Sequence, residues 1–193
     1  MRFYFNHPFW SLSSLGALLE LRPNTLRELD LSNNKLSDVG DDLSRFEQLT
    51  ELRLEGNRLT SLELHHMPRL TSLYLASNQL RVLPELLGMP SLQRLDLGEN
   101  LIGSRTAGEG IRANRGESPD GWESLAHSPL PELKLLLLPN NQLTWTQVAF
   151  NERIARLADK QSLTALDLRG NPFLFQPRLD DQPSIRMYRE WIL

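Results

Sequence analysis

The chain has 193 residues, a formal net charge of −3 and no cysteine. Leucine accounts for 42 of the residues, whereas valine and isoleucine together account for only 8. This composition argues against wholesale disorder, a basic nucleic-acid-binding surface and disulfide bonds, and no apolar run approaches the roughly 18 to 20 residues of a membrane-spanning helix. A core made so largely of one side chain predicts one kind of pocket, built many times.

The first 25 residues are predicted to form an N-terminal cap. Phe3 and Phe5 alternate like a degenerate first strand. A short helix is expected to follow, with its leucines at Leu12, Leu15, Leu18 and Leu19. Because polar residues interrupt the apolar start and no A-x-A-like cleavage site follows, we do not expect a cleaved signal peptide.

One phrase of eleven residues, L-x-x-L-x-L-x-x-N-x-L, then recurs six times. The copies are LRELDLSNNKL from Leu26, LTELRLEGNRL from Leu49, LTSLYLASNQL from Leu70, LQRLDLGENLI from Leu92, LKLLLLPNNQL from Leu133 and LTALDLRGNPF from Leu163. The L-x-L alternation in each copy predicts a short strand with both leucines on one face. Since one such strand cannot bury its face alone, the copies are expected to stack into a parallel sheet.

An asparagine follows each predicted strand, at the point where the chain must turn. The six are Asn34, Asn57, Asn78, Asn100, Asn141 and Asn171. A side-chain amide there can satisfy turn backbone groups that would otherwise be buried without partners. We therefore predict a structural role for all six.

The phrase resembles the signature of the leucine-rich repeat family. That resemblance implies an α/β solenoid with a curved parallel β-sheet on its concave face and short 3-10 or α returns on its convex face, with about six repeats after a degenerate first one. It also implies that the asparagines form a ladder inside the solenoid. The return after Asn57 resembles the SDS22-like subclass with a 3-10-like segment, and the return after Asn78 resembles the more typical repeat.

We predict one domain over residues 1–193. Its parts are the N-terminal cap at 1–25, repeats one to four at 26–102, a Gly-rich insertion at 103–131, repeats five and six at 132–173 and a C-terminal cap helix at 174–193. The cap helix carries Ile185, Tyr188 and Ile192 on one face and resembles part of an SDS22-like C-terminal cap.

The insertion makes the fourth step between phrases 41 residues long, against 21 to 23 for the first three. Its glycines and mixed charges do not fit a further repeat. It is either a solvated loop, a segment that folds back over the solenoid or a segment that docks on a partner. Trp122 and Leu125 form an apolar anchor near its end.

The next long step, of 30 residues, contains a predicted helix from Thr144 to about Asp159. Thr144 and Gln147 are spaced as a capping box. The inward stripe is expected to consist of Leu143, Phe150, Ile154 and Leu157, with Trp145 and Val148 as possible extensions.

The sequence contains no recognisable catalytic, phosphate-binding or metal-ligand motif, so we predict no enzyme activity, metal or cofactor. The informative residues are instead those that alternate with the buried leucines, because a stacked sheet presents them together on its concave face. The predicted partner-binding residues are Glu51, Arg53, Tyr74, Arg94, Asp96, Leu135 and Leu137 on this face, and Trp122 from the insertion.

Leu135 and Leu137 are singled out because LKLLLLP breaks the alternation and places leucines where other repeats carry charge. Either a partner or the insertion is expected to cover them, since exposed apolar area is unfavourable in water.

The sequence therefore predicts a non-catalytic protein–protein interaction module, a scaffold or accessory subunit of a larger assembly, that binds through the concave face and optionally the insertion. The alternative is a regulatory subunit of an enzyme such as a phosphatase or axonemal dynein. The expected partners are proteins, with neither nucleic acid nor a membrane span involved. We expect an intracellular, cytoplasmic location, with a cilium, axoneme or another organelle as variants.

Overall fold

The computed structural model describes residues 2–5, 15, 23–39, 43–104, 120–122, 125, 130–158 and 162–173. The strands are β1 (Arg2–Tyr4), β2 (Glu28–Asp30), β3 (Glu51–Arg53), β4 (Glu63–His65), β5 (Ser72–Tyr74), β6 (Glu85–Leu87), β7 (Arg94–Asp96), β8 (Leu135–Leu137) and β9 (Ala165–Asp167). A 3-10 turn at Pro23–Thr25 precedes β2, and helix α1 (Gln147–Ala158) precedes β9.

Seven of the strands form one parallel sheet in the order β1-β2-β3-β5-β7-β8-β9. The register aligns the central apolar residue of every strand in one column, whose members are Phe3, Leu29, Leu52, Leu73, Leu95, Leu136 and Leu166. All but Phe3 are at most 1 % exposed. The solenoid predicted from the repeated phrase is confirmed, including the degenerate first strand.

The turn after each copy of the phrase has the same backbone geometry. The residue before each asparagine has a positive φ of 54 to 70°, at Asn33, Gly56, Ser77, Glu99, Asn140 and Gly170. Glycine is favoured in this left-handed region because a Cβ is crowded there. At Gly56 an added Cβ would also lie 2.5 Å from Asn33 Oδ1.

The asparagine side chains connect neighbouring repeats through this turn. Asn57 Nδ2 donates to the carbonyls of Leu31 and Leu54 at 2.9 and 3.0 Å, and its Oδ1 accepts from Leu36 N at 3.1 Å. The same three bonds recur at Asn78, Asn100, Asn141 and Asn171. Each amide thus satisfies backbone groups of two repeats at once.

The return after Asn57 differs from the prediction, because it contains strand β4 rather than the expected 3-10-like segment. The return after Asn78 contains β6, and the two strands pair in parallel as a second sheet. Leu64 and Leu86 are buried between exposed or half-buried neighbours, so this stretch alternates as a strand does. The two repeats have nearly equal lengths, and their returns therefore run side by side and can exchange backbone hydrogen bonds.

Helix α1 begins three residues later than predicted. The Oγ1 of Thr146, not Thr144, accepts a hydrogen bond from the first turn, from Ala149 N at 3.3 Å. Trp145 and Phe150 flank this cap with ring centroids 6.3 Å apart, the arrangement of a hydrophobic staple. The inward stripe is buried as predicted, but Val148 is 68 % exposed and does not extend it.

The predicted N-terminal cap falls only partly within the described residues. Phe3 and Phe5 stack at 6.2 Å and pack against the core, and Leu15 is buried. The predicted helix around Leu12, Leu18 and Leu19, the C-terminal cap at 174–193 and most of the insertion lie outside the described residues.

Candidate functional site

The exposed face of the seven-stranded sheet presents side chains in two aligned rows. One row contains Arg2, Glu28, Glu51, Ser72, Arg94, Leu135 and Ala165, and the other contains Tyr4, Asp30, Arg53, Tyr74, Asp96, Leu137 and Asp167. We call this surface the concave face. Seven of the predicted site residues lie together on this face. They are Glu51 and Arg53 on β3, Tyr74 on β5, Arg94 and Asp96 on β7, and Leu135 and Leu137 on β8.

Tyr74 lies at the centre of the concave face between two arginines. The guanidinium carbons of Arg53 and Arg94 are 4.5 and 5.0 Å from its ring centroid. Both distances are within the range of cation–π attraction, and each contact helps to hold a long side chain in one position. Two guanidinium groups thus contact one aromatic ring, and we call this cluster the Tyr74 stack.

The two arginines of this stack differ in their carboxylate partners. Arg53 Nε donates to Glu51 at 2.6 Å, and Arg53 Nη1 lies 3.6 Å from Glu55. Burial opposes the charge of Arg53, but Glu51, Glu55 and Tyr74 outweigh it and raise its pKa. Arg94 approaches Asp96 only to 3.9 Å, and its Nε is buried without a hydrogen-bond partner among the described residues.

Glu55 was not among the predicted site residues, although it follows Arg53 at the next outward position. Its Oε2 is buried and has no hydrogen-bond partner in the described structure. Burial raises the pKa of Glu55, and Asp30 and Asp96 raise it further, against the opposing effects of its own backbone and Arg53. Glu55 therefore keeps an acceptor oxygen at the centre of the concave face that Arg53 does not satisfy.

The N-terminal end of the concave face contains a shallow cleft of about 360 Å³. It is lined by Arg2, Tyr4, Glu28, Leu29, Asp30, Glu51 and Arg53. Tyr4 is 59 % exposed, and Arg2 pairs with Glu28 at 2.8 Å. Arg2 and Tyr4 were not predicted because the first strand lacks the repeated phrase that identifies outward positions.

Leu135 and Leu137 both point outward on β8 and are half-buried. Arg94 and Asp96 are their register partners on one side, and Ala165 and Asp167 on the other. The residues from 105 to 119, which could decide whether the insertion covers these leucines, lie outside the described part of the chain.

Asp167 is nearly fully buried, with 4 % of its surface exposed, because Arg169 folds over it. Arg169 donates two side-chain hydrogen bonds to the Asp167 carboxylate, at 2.6 and 2.9 Å. Burial disfavours the ionised carboxylate, but these hydrogen bonds outweigh burial and lower the pKa of Asp167.

Trp122 was predicted to contact a partner, and the structure corrects this prediction. Its side chain is fully buried and packs edge-on against Trp145, with ring centroids 4.7 Å apart. Asp120, which is also buried, accepts from Trp145 Nε1 at 2.6 Å and lies 3.7 Å from Arg153 on α1. The apolar anchor recognised in the sequence therefore attaches the end of the insertion to the core.

Among the described residues, no three His, Asp or Glu side chains are grouped closely enough to hold a metal ion. The helix found within this part of the chain is too short and too polar to cross a bilayer.

Comparison with known proteins places the repeats among leucine-rich repeat sequences. Residues 24–80 match a family model described as leucine rich repeat, and residues 68–104 match one described as leucine rich repeats in two copies. The chain is 32 % identical over 155 residues to podocan-like protein 1 of Mus musculus, covering 78 % of this chain and 25 % of that protein. It is 37 % identical over 79 residues to asporin of Bos taurus, covering 39 % and 21 %.

A third relative is an uncharacterized leucine-rich repeat-containing protein of Schizosaccharomyces pombe, 33 % identical over 94 residues, or 47 % of this chain and 15 % of that protein. The chain thus spans a quarter or less of the length of each of these relatives.

Proposed function

We propose that this chain, which is a leucine-rich repeat protein, is a non-catalytic module that binds another polypeptide on its concave face, as a scaffold or accessory subunit of a larger assembly. The observation that carries the proposal is the stack of Tyr74 between Arg53 and Arg94, directly beside the half-exposed Leu135 and Leu137.

This combination of side chains is typical of the residues that contribute most of the binding energy at a protein interface. Tyrosine and arginine are enriched among the residues that contribute most to binding, because they offer large contact areas with polar ends. Here the stack restricts both arginine side chains before a partner arrives, which lowers the entropy lost on binding. The adjacent leucines supply apolar area whose burial would stabilise a complex.

The direct test replaces Leu135 and Leu137 together by aspartate. The tagged wild-type chain and the variant are compared by chemical cross-linking and co-purification at low salt, with identification of the retained proteins. We expect specific partners to be lost with the variant, because two charges would be buried at the interface. Val148→Asp is the matched control, since Val148 is apolar and 68 % exposed but lies on α1, away from the concave face.

Both variants are also followed by thermal unfolding. Retained partners in a folded Leu135/Leu137 variant would refute the concave-face proposal. If the variant instead unfolds at a much lower temperature, Tyr74→Ala, which alters only a half-buried side chain, serves as the second test of the same surface.

A catalytic chain among the retained proteins would favour the more specific role of a regulatory subunit of an enzyme such as a phosphatase or axonemal dynein. We also propose an intracellular, cytoplasmic location, which the cysteine-free sequence suits. Fluorescence microscopy of the tagged chain tests the location.

The insertion is proposed as a second contact with the partner. A deletion that tests this role should end before Asp120, because Asp120 and Trp122 belong to the core. The variant that joins residues 104 and 120 through a short glycine-serine linker is compared with the wild type in partner binding and in thermal unfolding. Unchanged partner binding by this variant would restrict the interface to the concave face.

A further inference from the structure

The charges of the concave face indicate the chemistry of its partner. Four carboxylates, those of Asp30, Glu51, Glu55 and Asp96, surround the two guanidinium groups of Arg53 and Arg94 at its centre. The ion pairs that Arg2 and Arg169 form with Glu28 and Asp167 lie towards the two ends of the sheet. The central part of the face therefore carries an excess of negative charge.

Among these four carboxylates, Glu55 is the one whose negative charge is least balanced by its neighbours. One of its oxygens, Oε2, is buried and accepts no hydrogen bond, and the nearest guanidinium nitrogen is 3.6 Å from the other oxygen. The 2.6 Å hydrogen bond from Arg53 Nε to Glu51 holds the guanidinium group in a position from which Nη1 lies 3.6 Å from Glu55. Because 25 % of the Glu55 side chain remains exposed, a second cation supplied from outside can approach its carboxylate and add to this weak pairing.

The apolar part of the face lies a fixed distance from Glu55. β3 is separated from β8 by β5 and β7, so Glu55 lies three strand spacings from Leu135 and Leu137 across the sheet. It also lies two residues beyond Arg53, which aligns with Leu137, and four beyond Glu51, which aligns with Leu135. With neighbouring strands about 4.8 Å apart and about 3.3 Å per residue along a strand, the separation is roughly 16 to 20 Å, which an extended polypeptide covers in about five or six residues.

We infer that the concave face binds an extended polypeptide segment that places a lysine or arginine at Glu55 and, about five or six residues away, a bulky apolar side chain against Leu135 and Leu137. Between these two positions the segment crosses Tyr74 and Arg94. The Arg94 side chain is 40 % exposed and approaches Asp96 only to 3.9 Å, so its guanidinium group can donate to a backbone carbonyl of the segment. This inference rests on the proposed interaction function and specifies the chemistry of the partner.

The experiment selects phage-displayed random peptides of about twelve residues, roughly 40 Å when extended, on the purified full chain. Synthetic versions of the enriched peptides are then measured by fluorescence anisotropy. We expect a lysine or arginine about five or six residues from a leucine, phenylalanine or tryptophan. Replacing that basic residue by glutamate should weaken binding more than replacing it by glutamine, and added salt should reduce the difference.

Glu55→Gln is the decisive variant, because it removes the charge while keeping the shape of the side chain. We expect it to weaken the selected peptides about five- to tenfold, the effect of losing one partly buried charge pair. Glu63→Gln is the matched control: Glu63 is exposed on β4 of the second sheet, so this variant should bind as the wild type does.

The possible failures separate the two proposals. Peptides that are lost with the Leu135/Leu137 aspartate variant but are acidic, or are insensitive to Glu55→Gln, would overturn the inference and leave the interaction function standing. A selection that yields no peptide, or only peptides that bind the Leu135/Leu137 variant equally well, would contradict both. Thermal unfolding of Glu55→Gln verifies that reduced binding does not reflect unfolding.

Discussion

At the scale of single residues, the asparagines of the repeated phrase have equivalent bonds but unequal surroundings. Asn57 is buried between two complete repeats, whereas Asn171, which makes the same three hydrogen bonds, is only half-buried in the last described repeat. Water can replace the lost bonds only where it can reach them. The contribution of each asparagine to the free energy of unfolding should therefore depend on its place in the array.

Asn57→Ala is expected to lower the free energy of unfolding by about 2 to 3 kcal/mol, since it leaves the buried Leu36 N–H without an acceptor and removes two bonds to carbonyls. Asn171→Ala should cost about 1 kcal/mol or less. Urea unfolding of the two variants measures the difference. Equal losses of unfolding free energy in the two variants would show that the asparagine side chains stabilise only the local turn.

The buried carboxylate of Asp167 predicts a pH dependence of stability. Its pKa in the folded chain is below its ordinary value of 3.8, so the ionised form favours folding. This contribution is fully present above about pH 3.8 and is lost as the pH falls through the lower pKa of the folded state.

Asp167→Asn should therefore lose more stability relative to wild type at pH 7 than at a pH below 3. Urea unfolding at the two pH values, with Glu63→Gln as an exposed control, measures this difference. The same loss at both pH values would assign the effect to packing of the side chain rather than to its charge.

At the scale of elements, the end of the insertion and α1 stabilise each other. Asp120 accepts from the indole nitrogen of Trp145, the residue before the Thr146 cap, and lies close to Arg153 two turns further along the helix. Its own carbonyl also accepts from Leu83 N in the return after β5. One buried aspartate thus links three segments that are distant in sequence.

Asp120→Ala is expected to destabilise the chain by about 3 kcal/mol, because it leaves Trp145 Nε1 without its acceptor and removes the ion pair with Arg153. Asp120→Asn should cost less, since one acceptor oxygen remains. Urea unfolding followed by tryptophan fluorescence measures both variants. Glu152→Ala, at an exposed position of α1, is the control, and an Asp120→Ala variant as stable as this control would contradict the proposed link.

At the scale of the whole molecule, the described structure is a linear stack in which each strand of the main sheet contacts only its neighbours. β3, β5 and β7 pair on both sides, whereas β1 and β9 each pair on one side within the described residues. In such repeat arrays, stability is close to a sum of contributions from each repeat and each interface between neighbours. The ends should therefore open more easily than the centre.

Hydrogen–deuterium exchange measured by mass spectrometry tests this expectation. Amides of β3, β5 and β7 should exchange most slowly, and those of β1 and β9 fastest among the strands of the main sheet. Uniform protection along the sheet would indicate a single cooperative unit and would contradict the additive description.

The repeated phrase was sufficient to predict the parallel solenoid, the outward and inward faces of each strand and the positions of the turns. All of these follow from the local alternation of leucines, which each copy of the phrase shows independently. The same periodicity predicted that Tyr74, Arg53, Arg94, Leu135 and Leu137 share one face. It could not predict which charges on that face pair with each other, because side-chain conformers depend on contacts across strands.

Outside the phrase, the sequence predicted α1 with its buried stripe and the degenerate first strand, but only the tertiary structure decided which of these distant segments meet. The pairing of β4 with β6 depends on two returns lying side by side, and the burial of Trp122 depends on Asp120 meeting Trp145 and Arg153 across the solenoid. The weak pairing of Glu55 with Arg53 likewise results from Arg53 bonding to Glu51 instead. Local sequence determines the spacing of the strands and turns. Which of several possible partners a side chain contacts is decided only when distant segments pack together.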